Sequence, residues 1–243
     1  MRIVTLNTWK NEGDYARRLR LMGEGLAALD ADLVCLQECF SAAGHDTGAA
    51  LSYATGLHLH AAPAREKLRP MEGRLVRSAS GLAMLSKTPL RPAVLALPSD
   101  PLDGERIAQR ADLTACGRPL RLLNLHLTHL RGPKASQLRG AQLLRALEWG
   151  CQDLSGALIV AGDLNATAAD PELAVLGLSA APSTMQGARE GDSPSAGAAI
   201  DHVHLQHAGG WRVAGRRTAL DRADGAGWFP SDHAAVVLDL EPV

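Results

Sequence analysis

Short apolar runs alternate with a stretch of helical spacing at the start of the chain. Residues 2–7 (RIVTLN) and 32–37 (DLVCLQ) each form an apolar run of strand length, and residues 14–30 lie between them. The apolar positions of that middle stretch recur at helical spacing, at Leu19, Met22, Leu26 and Leu29. This order predicts a β-α-β opening, which a further helix near 45–55 follows.

The rest of the chain is predicted to contain mostly strands, separated by Pro, Gly and Asp clusters. These strands are 57–62, 80–86, 90–97, 106–115, 119–128, 157–161, 199–206, 211–219 and 234–240. Residues 134–149 form a predicted helix, and a short helix begins after Asp170-Pro171. The helix 134–149 has its apolar positions on one side, at Leu138, Ala141, Leu144 and Leu147. The pattern predicts an α/β fold with mixed sheets covered by helices, a layered sandwich in a single domain over 1–243.

Polar side chains occur where these apolar strands end or begin. Asn7, Glu38 and Asp163 follow the ends of three early strands, while Asp201 and Asp232 stand at the beginnings of late ones. If the late strands run antiparallel to the early ones, their beginnings lie at the same sheet edge as the early ends. One rim of the molecule is then expected to collect both groups.

Such a rim would crowd several carboxylates and amides together. Its members are Asn7, Glu38, Asp163, Asn165, Asp201 and Asp232. Crowded carboxylates repel one another and raise each other's pKa values unless a cation balances them. Oxygen ligands without cysteine suit Mg²⁺ or Mn²⁺, which keep bound waters and bind substrate phosphates. The rim therefore predicts metal-assisted phosphate chemistry.

His126 lies in a run of period-two alternation, RLLNLHLT, which begins at Arg121. Leu123, Leu125 and Leu127 share one face of this strand, so His126 points away from them. From the alternation alone, His126 faces either the polar rim or a second core layer.

Composition restricts the protein's class. With 25 basic and 26 acidic residues, no global positive field attracts DNA or an anionic membrane. Segment 65–77 nevertheless has a local excess of basic residues, which is typical of a solvated loop or hairpin or, alternatively, of an arm that holds a polyanion.

No secretory leader or long apolar segment is evident. The four cysteines lack zinc-site spacing. We expect a monomeric cytoplasmic protein without integral membrane association.

Seven short motifs occur together in one order. They are LNTW (6–9), LQE (36–38), SGLAMLSK (80–87), LNLHLTH (123–129), GDLN (162–165), IDHV (200–203) and SDHAAV (231–236). In this set the sequence resembles the endonuclease/exonuclease/phosphatase superfamily of metal-dependent phosphoesterases. The resemblance covers the chain from end to end. It implies a deoxyribonuclease-I-like fold, a four-layered α/β sandwich in which helices flank two packed mixed sheets.

The resemblance also implies roles for individual residues. Asn7, Glu38 and Asp232 look like the ligands of Mg²⁺ or Mn²⁺, with Glu38 as the main one. Asp163 looks like the residue that activates the attacking water, and Asn165 like a donor to the phosphate. His233, oriented by Asp201, resembles the transition-state-stabilising histidine, and His126 resembles the residue that contacts the scissile phosphate. The implied activity is hydrolysis of a phosphate ester by direct water attack.

The substrate stays open between a nucleic acid and a phospholipid headgroup or small phosphodiester. Trp9 stands where abasic-site endonucleases carry an acid, and the NTW form looks more like the sphingomyelinase-like branches. A rival interpretation is a catalytically idle module that binds a phosphate or a partner on the same scaffold. Two long loops, 182–198 and 221–230, are candidates for substrate contact.

Overall fold

The computed structural model describes residues 1–192 and 198–243, so the predicted loop 182–198 lies partly outside the described residues. The helices are α1 (Tyr15–Leu29), α2 (Thr47–Thr55) and α3 (Pro133–Cys151), with a 3₁₀ helix at Pro171–Leu176. The strands are β1 (Arg2–Asn7), β2 (Leu33–Ala42), β3 (His45–Asp46), β4 (His58–Ala62), β5 (Lys67–Met71), β6 (Arg74–Ser86), β7 (Ala93–Ala96), β8 (Ile107–Ala115), β9 (Arg118–His126), β10 (Ala157–Asp163), β11 (Asp201–His207), β12 (Trp211–Ala219) and β13 (Ala235–Pro242).

Within the described residues these strands form two mixed sheets. The first has the order β12-β13-β1-β2-β6-β4, with β3 paired to β2 and β5 paired to β6. The second has the order β11-β10-β9-β8-β7. Each sheet contains one parallel pair, β1 with β2 and β9 with β10, and its other neighbours are antiparallel. The early strands therefore end at the edge where β11 and β13 begin.

Three apolar layers hold these elements together. Between the sheets, Ile3, Met84 and Ile159 belong to one buried cluster. A second cluster packs α3 against β9 and β10, and a third packs α1 and α2 against the first sheet. Two sheets flanked by helices confirm the predicted α/β sandwich, and the three cores separate four layers.

Local sequence explains where the first helices begin. Asp14 caps α1, because its side chain accepts a hydrogen bond from the Arg17 N–H, and Asp46 caps α2 in the same way through the Ala49 N–H. The predicted strand 80–86 begins earlier than expected, at Arg74, and pairs with β5. Segment 65–77 thus forms a hairpin. Its turn places Glu72 and Gly73 at positive φ, as two-residue hairpin turns require.

The predicted apolar side of α3 coincides only in part with its buried face, since Leu147 lies in the core but Ala141 and Leu144 do not. Leu144 is 52% exposed, whereas the helix buries Arg139 and Gln142 toward the protein. These polar groups are satisfied there, since Arg139 donates to Glu172, and Gln142 donates to the Pro98 carbonyl and accepts from the Thr128 N–H. Among the described residues, no helix has both the length and the apolar character to cross a membrane.

Candidate active site

The two sheets bring the predicted site residues to one rim. In strand register, Asp163 at the end of β10 lies beside His126 on one neighbour and beside Asp201 on the other. Asn7 ends β1, and its amide Nδ2 donates to Asp163 Oδ2 over 2.9 Å, which joins the first sheet to the second. The predicted antiparallel arrangement of the late strands is therefore confirmed.

Glu38 reaches the rim through an irregularity in β2. The pairing of β2 with β6 shifts register between Leu36 and Cys39, and Glu38 within this bulge has a φ of 55°. A bulge redirects a side chain that regular alternation would place elsewhere. Beside it, Gln37 is buried and donates to Asn124 Oδ1 over 2.8 Å, a polar link between the sheets behind the site.

Asp163 is the centre of a buried hydrogen-bond network. Its Oδ2 accepts from Asn7, and its Oδ1 accepts from the Asn165 backbone N–H at 2.9 Å. Burial raises the pKa of Asp163 to about 7, and the charge of nearby Asp201 adds to the increase. A carboxyl with such a pKa can accept a proton near neutral pH.

His233 forms a buried ion pair with Asp201. Its Nδ1 lies 2.8 Å from Asp201 Oδ2, and both side chains are almost fully buried. Burial alone would lower the pKa of His233, but the charge and hydrogen bond of Asp201 outweigh it and raise that pKa to about 10. The imidazole is therefore positively charged at neutral pH.

Asp232 and Glu38 form the acidic part of the rim nearest His233. Asp232 Oδ1 lies 4.0 Å from His233 Nε2, and it accepts a hydrogen bond from Ser231 Oγ. Burial raises the pKa of Asp232 to about 6. The charge of Glu38 adds to this increase, and the charge of His233 opposes it. Burial is the main cause of this shift, and the neighbouring acids add to it despite the positive charges of His233 and Arg18.

The oxygen donors of Asn7, Glu38 and Asp232 fit a hard divalent cation chemically. Another group is geometrically tighter, since Asp163, Asp201 and His233 place one potential ligand atom each within 4.8 Å of one another. That closeness reflects the Asp201–His233 hydrogen bond, however, and a protonated imidazole repels a cation. The donor chemistry thus favours the first set.

His126 and Asn165 complete the predicted set. His126 Nε2 lies 3.6 Å from Asp163 Oδ2, so the imidazole faces the rim rather than a second core layer. Burial, with the charge of Arg106 and other nearby bases, lowers the pKa of His126 well below its ordinary value, so this ring is neutral. Asn165 Nδ2 donates to the Leu127 carbonyl over 3.1 Å, which leaves its second N–H for another acceptor.

Two features near the rim went unrecognised in the sequence. Lys10 Nζ lies 2.9 Å from Glu38 Oε2, and Asp103 is buried between Arg106 and His129, at 2.5 and 2.7 Å. Arg106 in turn donates to the His126 carbonyl. The sequence offered one signal for the Lys10–Glu38 pair, since Lys10 directly follows the LNTW motif. Asp103 lies in no motif.

Residues of the two candidate loops, and Trp9 of the LNTW motif, have local partners. Thr184 Oγ1 accepts from the backbone N–H groups of Ile200 and Asp201 and so helps to hold the start of β11. The Trp228 ring lies under the Arg189 guanidinium. Trp9 packs against Arg18, whose guanidinium carbon is 4.7 Å from the ring centroid. Thr184 therefore has a hydrogen-bonding role at the start of β11, and the two tryptophans pack against arginines.

The sequence matches a family model described as Endonuclease/Exonuclease/phosphatase family over residues 4–233. The chain belongs to this family. The match includes all eight predicted site residues of the endonuclease/exonuclease/phosphatase protein. Members of the family are hydrolases that act on phosphate esters. A comparison with curated protein sequences finds no match.

Solved structures of the same fold cover nearly the whole endonuclease/exonuclease/phosphatase chain. A family protein from Leptotrichia buccalis is 14% identical, with 99% of each chain covered and a TM-score of 0.74. The human Nocturnin catalytic domain with bound sulfate is 20% identical, with 100% and 93% covered and a TM-score of 0.71. TDP2 from D. rerio with a single-strand DNA product is 19% identical, with 99% and 98% covered and a TM-score of 0.67. At these identities the likeness shows the fold.

Proposed function

We propose that this protein is a divalent-metal-dependent phosphohydrolase, a phosphodiesterase that cleaves its substrate by direct attack of water. The observation that carries the proposal is the placement of a buried cationic histidine and a buried carboxyl of near-neutral pKa at one rim. His233 is held positive by Asp201, while Asp163 has a pKa near neutrality. Hydrolysis of a phosphate ester uses such a pair, a base for water and a cation for the phosphate.

Asn7, Glu38 and Asp232 would hold the metal, which is Mg²⁺ or Mn²⁺ in our proposal. When bound, such an ion neutralises charge on the phosphate oxygens as a Lewis acid. The acidic rim supports this assignment, because burial and neighbouring acids raise the pKa values of Asp163 and Asp232 to about 7 and 6. A cation there would offset both the burial of these carboxylates and the smaller repulsion between them.

The other site residues act directly on water and phosphate. Ionised Asp163 takes a proton from the attacking water, and Asn7 and Asn165 fix the orientation of its carboxylate. The His233 imidazolium donates to a phosphate oxygen on which charge develops, while Asp201 keeps it protonated. Neutral His126 donates a hydrogen bond to the same phosphate, as does the second N–H of Asn165.

The proposed substrate is a phosphate ester, with a nucleic acid as the first candidate. The similar D. rerio protein holds single-strand DNA product, and the similar human domain holds a sulfate anion. A net charge of −1 means that any nucleic acid would be held by local contacts. Because such contacts involve phosphates, cleavage of oligonucleotides should fall steeply with added salt. A phospholipid headgroup or another small diester would give a flatter response.

The test is hydrolysis of bis-p-nitrophenyl phosphate by the purified protein, with Mg²⁺, with Mn²⁺ and with excess chelator. We expect turnover only with metal, and losses of about 10²- to 10³-fold for Asp163→Asn and His233→Gln. Matched controls are Asp153→Asn and His58→Gln, which change exposed residues near the beginnings of β10 and β2, the strand ends opposite the rim. Full activity in chelator, or in either site variant, contradicts the proposal. If the protein binds bis-p-nitrophenyl phosphate but hydrolyses it under none of these conditions, the protein is the idle binding module instead.

A further inference from the structure

Four basic side chains gather beside the candidate site, and we call them the basic wall: Lys10, Arg65, Lys67 and Arg69. Lys10 follows β1, Arg65 lies in the connection after β4, and the other two belong to β5. Asn11, the residue after Lys10, donates to the Pro70 carbonyl of β5 at 2.7 Å, and Arg69 donates to the Arg65 carbonyl at 3.2 Å. The charges of Arg69, Arg65 and Lys10 also act on Lys67, where they add to burial and lower its pKa against the opposing charge of Glu12. The proposed catalytic mechanism uses none of these four residues.

Arg69 carries a buried charge without an acidic partner. It is only 5% exposed, and its guanidinium donates to Ser78 Oγ at 2.9 Å and to the Arg65 carbonyl at 3.2 Å. Its Nε has no hydrogen-bond partner, and no carboxylate lies within ion-pair distance among residues 1–192 and 198–243. A buried cation without a counter-charge destabilises a fold. An anion bound at this position would remove that penalty.

Lys10 has a partner that the proposed metal would also use. Its ammonium lies 2.9 Å from Glu38 Oε2, and Glu38 is the proposed main ligand. A divalent cation on that carboxylate would neutralise the charge that Lys10 now faces. The ammonium would then attract an anionic group of the substrate, so this step rests on the proposed function.

Arg65 faces an acid that other bases already neutralise. Arg65 Nη2 is 3.9 Å from Asp103 Oδ1, but Asp103 also accepts two close hydrogen bonds from Arg106 and lies 2.7 Å from His129. Burial would raise the pKa of Asp103, yet Arg106 and His129 help to lower it to about 2. Three basic side chains, Arg65, Arg106 and His129, thus surround this single carboxylate.

Two bases of the wall, Arg65 and Lys67, line openings beside the catalytic rim. Arg65, Arg106 and His126 line a small opening, which adjoins a cleft of about 560 Å³ with Arg65 and Lys67 in its lining. Of the acids in that cleft, Asp103 is paired with Arg106, and Glu66 pairs with Arg77 at 2.7 Å. Glu105 is held through its contact with the Arg65 backbone N–H. Once the Asp103–Arg106 and Glu66–Arg77 pairs are set aside, Arg65 and Lys67 face one further acid, Glu105, so the two bases are left in a small excess.

We propose that the basic wall binds a second anionic group of the substrate, a phosphate close to the one that is cleaved. The enzyme would then prefer esters with two neighbouring phosphates over esters with one. The required chemistry is a flanking phosphate, and either a nucleic-acid strand or a small bisphosphate supplies it.

Two chromogenic esters test this preference with the same leaving group. One is the p-nitrophenyl ester of thymidine 5′-phosphate, and the other carries an additional 3′-phosphate. We expect the wild type to favour the second by about tenfold in kcat/KM, as charge-assisted contacts to a phosphate would give. In the double variant Arg65→Gln/Lys67→Gln, the ratio of the two kcat/KM values should fall toward one.

The matched control removes two basic residues from exposed helix faces, in Arg20→Gln/Arg145→Gln. It has the same change in net charge and should keep the wild-type ratio. Equal rates for both esters in the wild type, or a preference that survives in the Arg65/Lys67 variant, overturn the proposal.

Binding without turnover separates this inference from the proposed function. In chelator, calorimetry should show tighter binding of thymidine 3′,5′-bisphosphate than of the 5′-monophosphate, and the Arg65/Lys67 variant should lose the difference. If neither ester is hydrolysed but this binding preference is present, the catalytic proposal fails and the basic wall stands. Inhibition by oligothymidylate that increases with length indicates a strand, and inhibition independent of length indicates a small bisphosphate.

Discussion

At the scale of single residues, the fold sets charge states that differ greatly between two histidines of the same rim. His233 has a pKa of about 10 because Asp201 outweighs burial, whereas burial and nearby bases keep His126 neutral. Both are buried, so burial alone does not distinguish them. The distinguishing feature is the partner: a carboxylate at 2.8 Å from His233, against a surplus of cations around His126.

Asp201→Asn should return the pKa of His233 toward the ordinary value of about 6.5, since the amide keeps the shape but loses the charge. The measurement is an NMR titration of the His233 ring in metal-free protein. Asp221→Asn, an exposed site, serves as the control and should leave the titration unchanged. A His233 pKa that remains near 10 in Asp201→Asn would show that other groups hold the proton.

The same pair affects stability with a defined pH dependence. Because the folded-state pKa of about 10 exceeds the unfolded value of about 6.5, its stabilisation is complete below pH 6.5 and disappears as the pH rises through 10. At pH 6, the free energy of unfolding of Asp201→Asn should therefore lie about 3 kcal/mol below that of the wild type. In urea titrations this difference should shrink above pH 10.

At the scale of elements, strand ends position the site, and backbone irregularities adjust it. The bulge at Glu38 and the positive φ of Asn165 both direct side chains toward the rim. Gly162 precedes Asp163 with a φ of 140°, and a Cβ there would collide with the Leu125 carbonyl of the neighbouring strand β9. This contact requires glycine for close pairing of β9 and β10.

Gly162→Ala should lower the free energy of unfolding by about 3 kcal/mol or more, because it combines an unfavourable φ with a backbone clash. The matched control is Gly215→Ala in β12, where an added Cβ meets nothing within 4 Å. Urea denaturation followed by circular dichroism compares the two variants. Similar stabilities for both would contradict the close approach of β9 and β10.

At the scale of the whole molecule, the cores connect the elements that carry the site. The cluster between the sheets takes residues from both, and the Asn7–Asp163 and Gln37–Asn124 bonds cross the same interface. Separating the sheets would therefore dismantle the rim as well as the core. This arrangement supports our proposal that residues 1–243 form one domain.

A single domain should unfold in one cooperative transition. Circular dichroism reports the helices and sheets together, whereas fluorescence reports Trp149 on α3 and Trp211 between the sheets among the four tryptophans. In urea we expect the two signals to give the same midpoint and slope. Separate transitions would indicate that the two halves fold independently.

The sequence by itself determined the order of the elements and which polar residues end or begin the strands. Local periodicity contains this information, because alternation fixes the face of each side chain and turn residues mark the ends. Asn7, Asp163, Asp201 and Asp232 were therefore placed correctly before any contact was known.

Only the tertiary structure decided which distant groups meet and what charge they carry. The apolar stripe of α3 was only a partial guide to its buried face, because the partners Glu172 and Thr128 that satisfy the buried Arg139 and Gln142 come from other parts of the chain. Likewise, Lys10 beside Glu38 and the opposite pKa shifts of the two histidines depend on distances across the fold. Burial and electrostatic interactions act through space, and a linear pattern does not contain those distances.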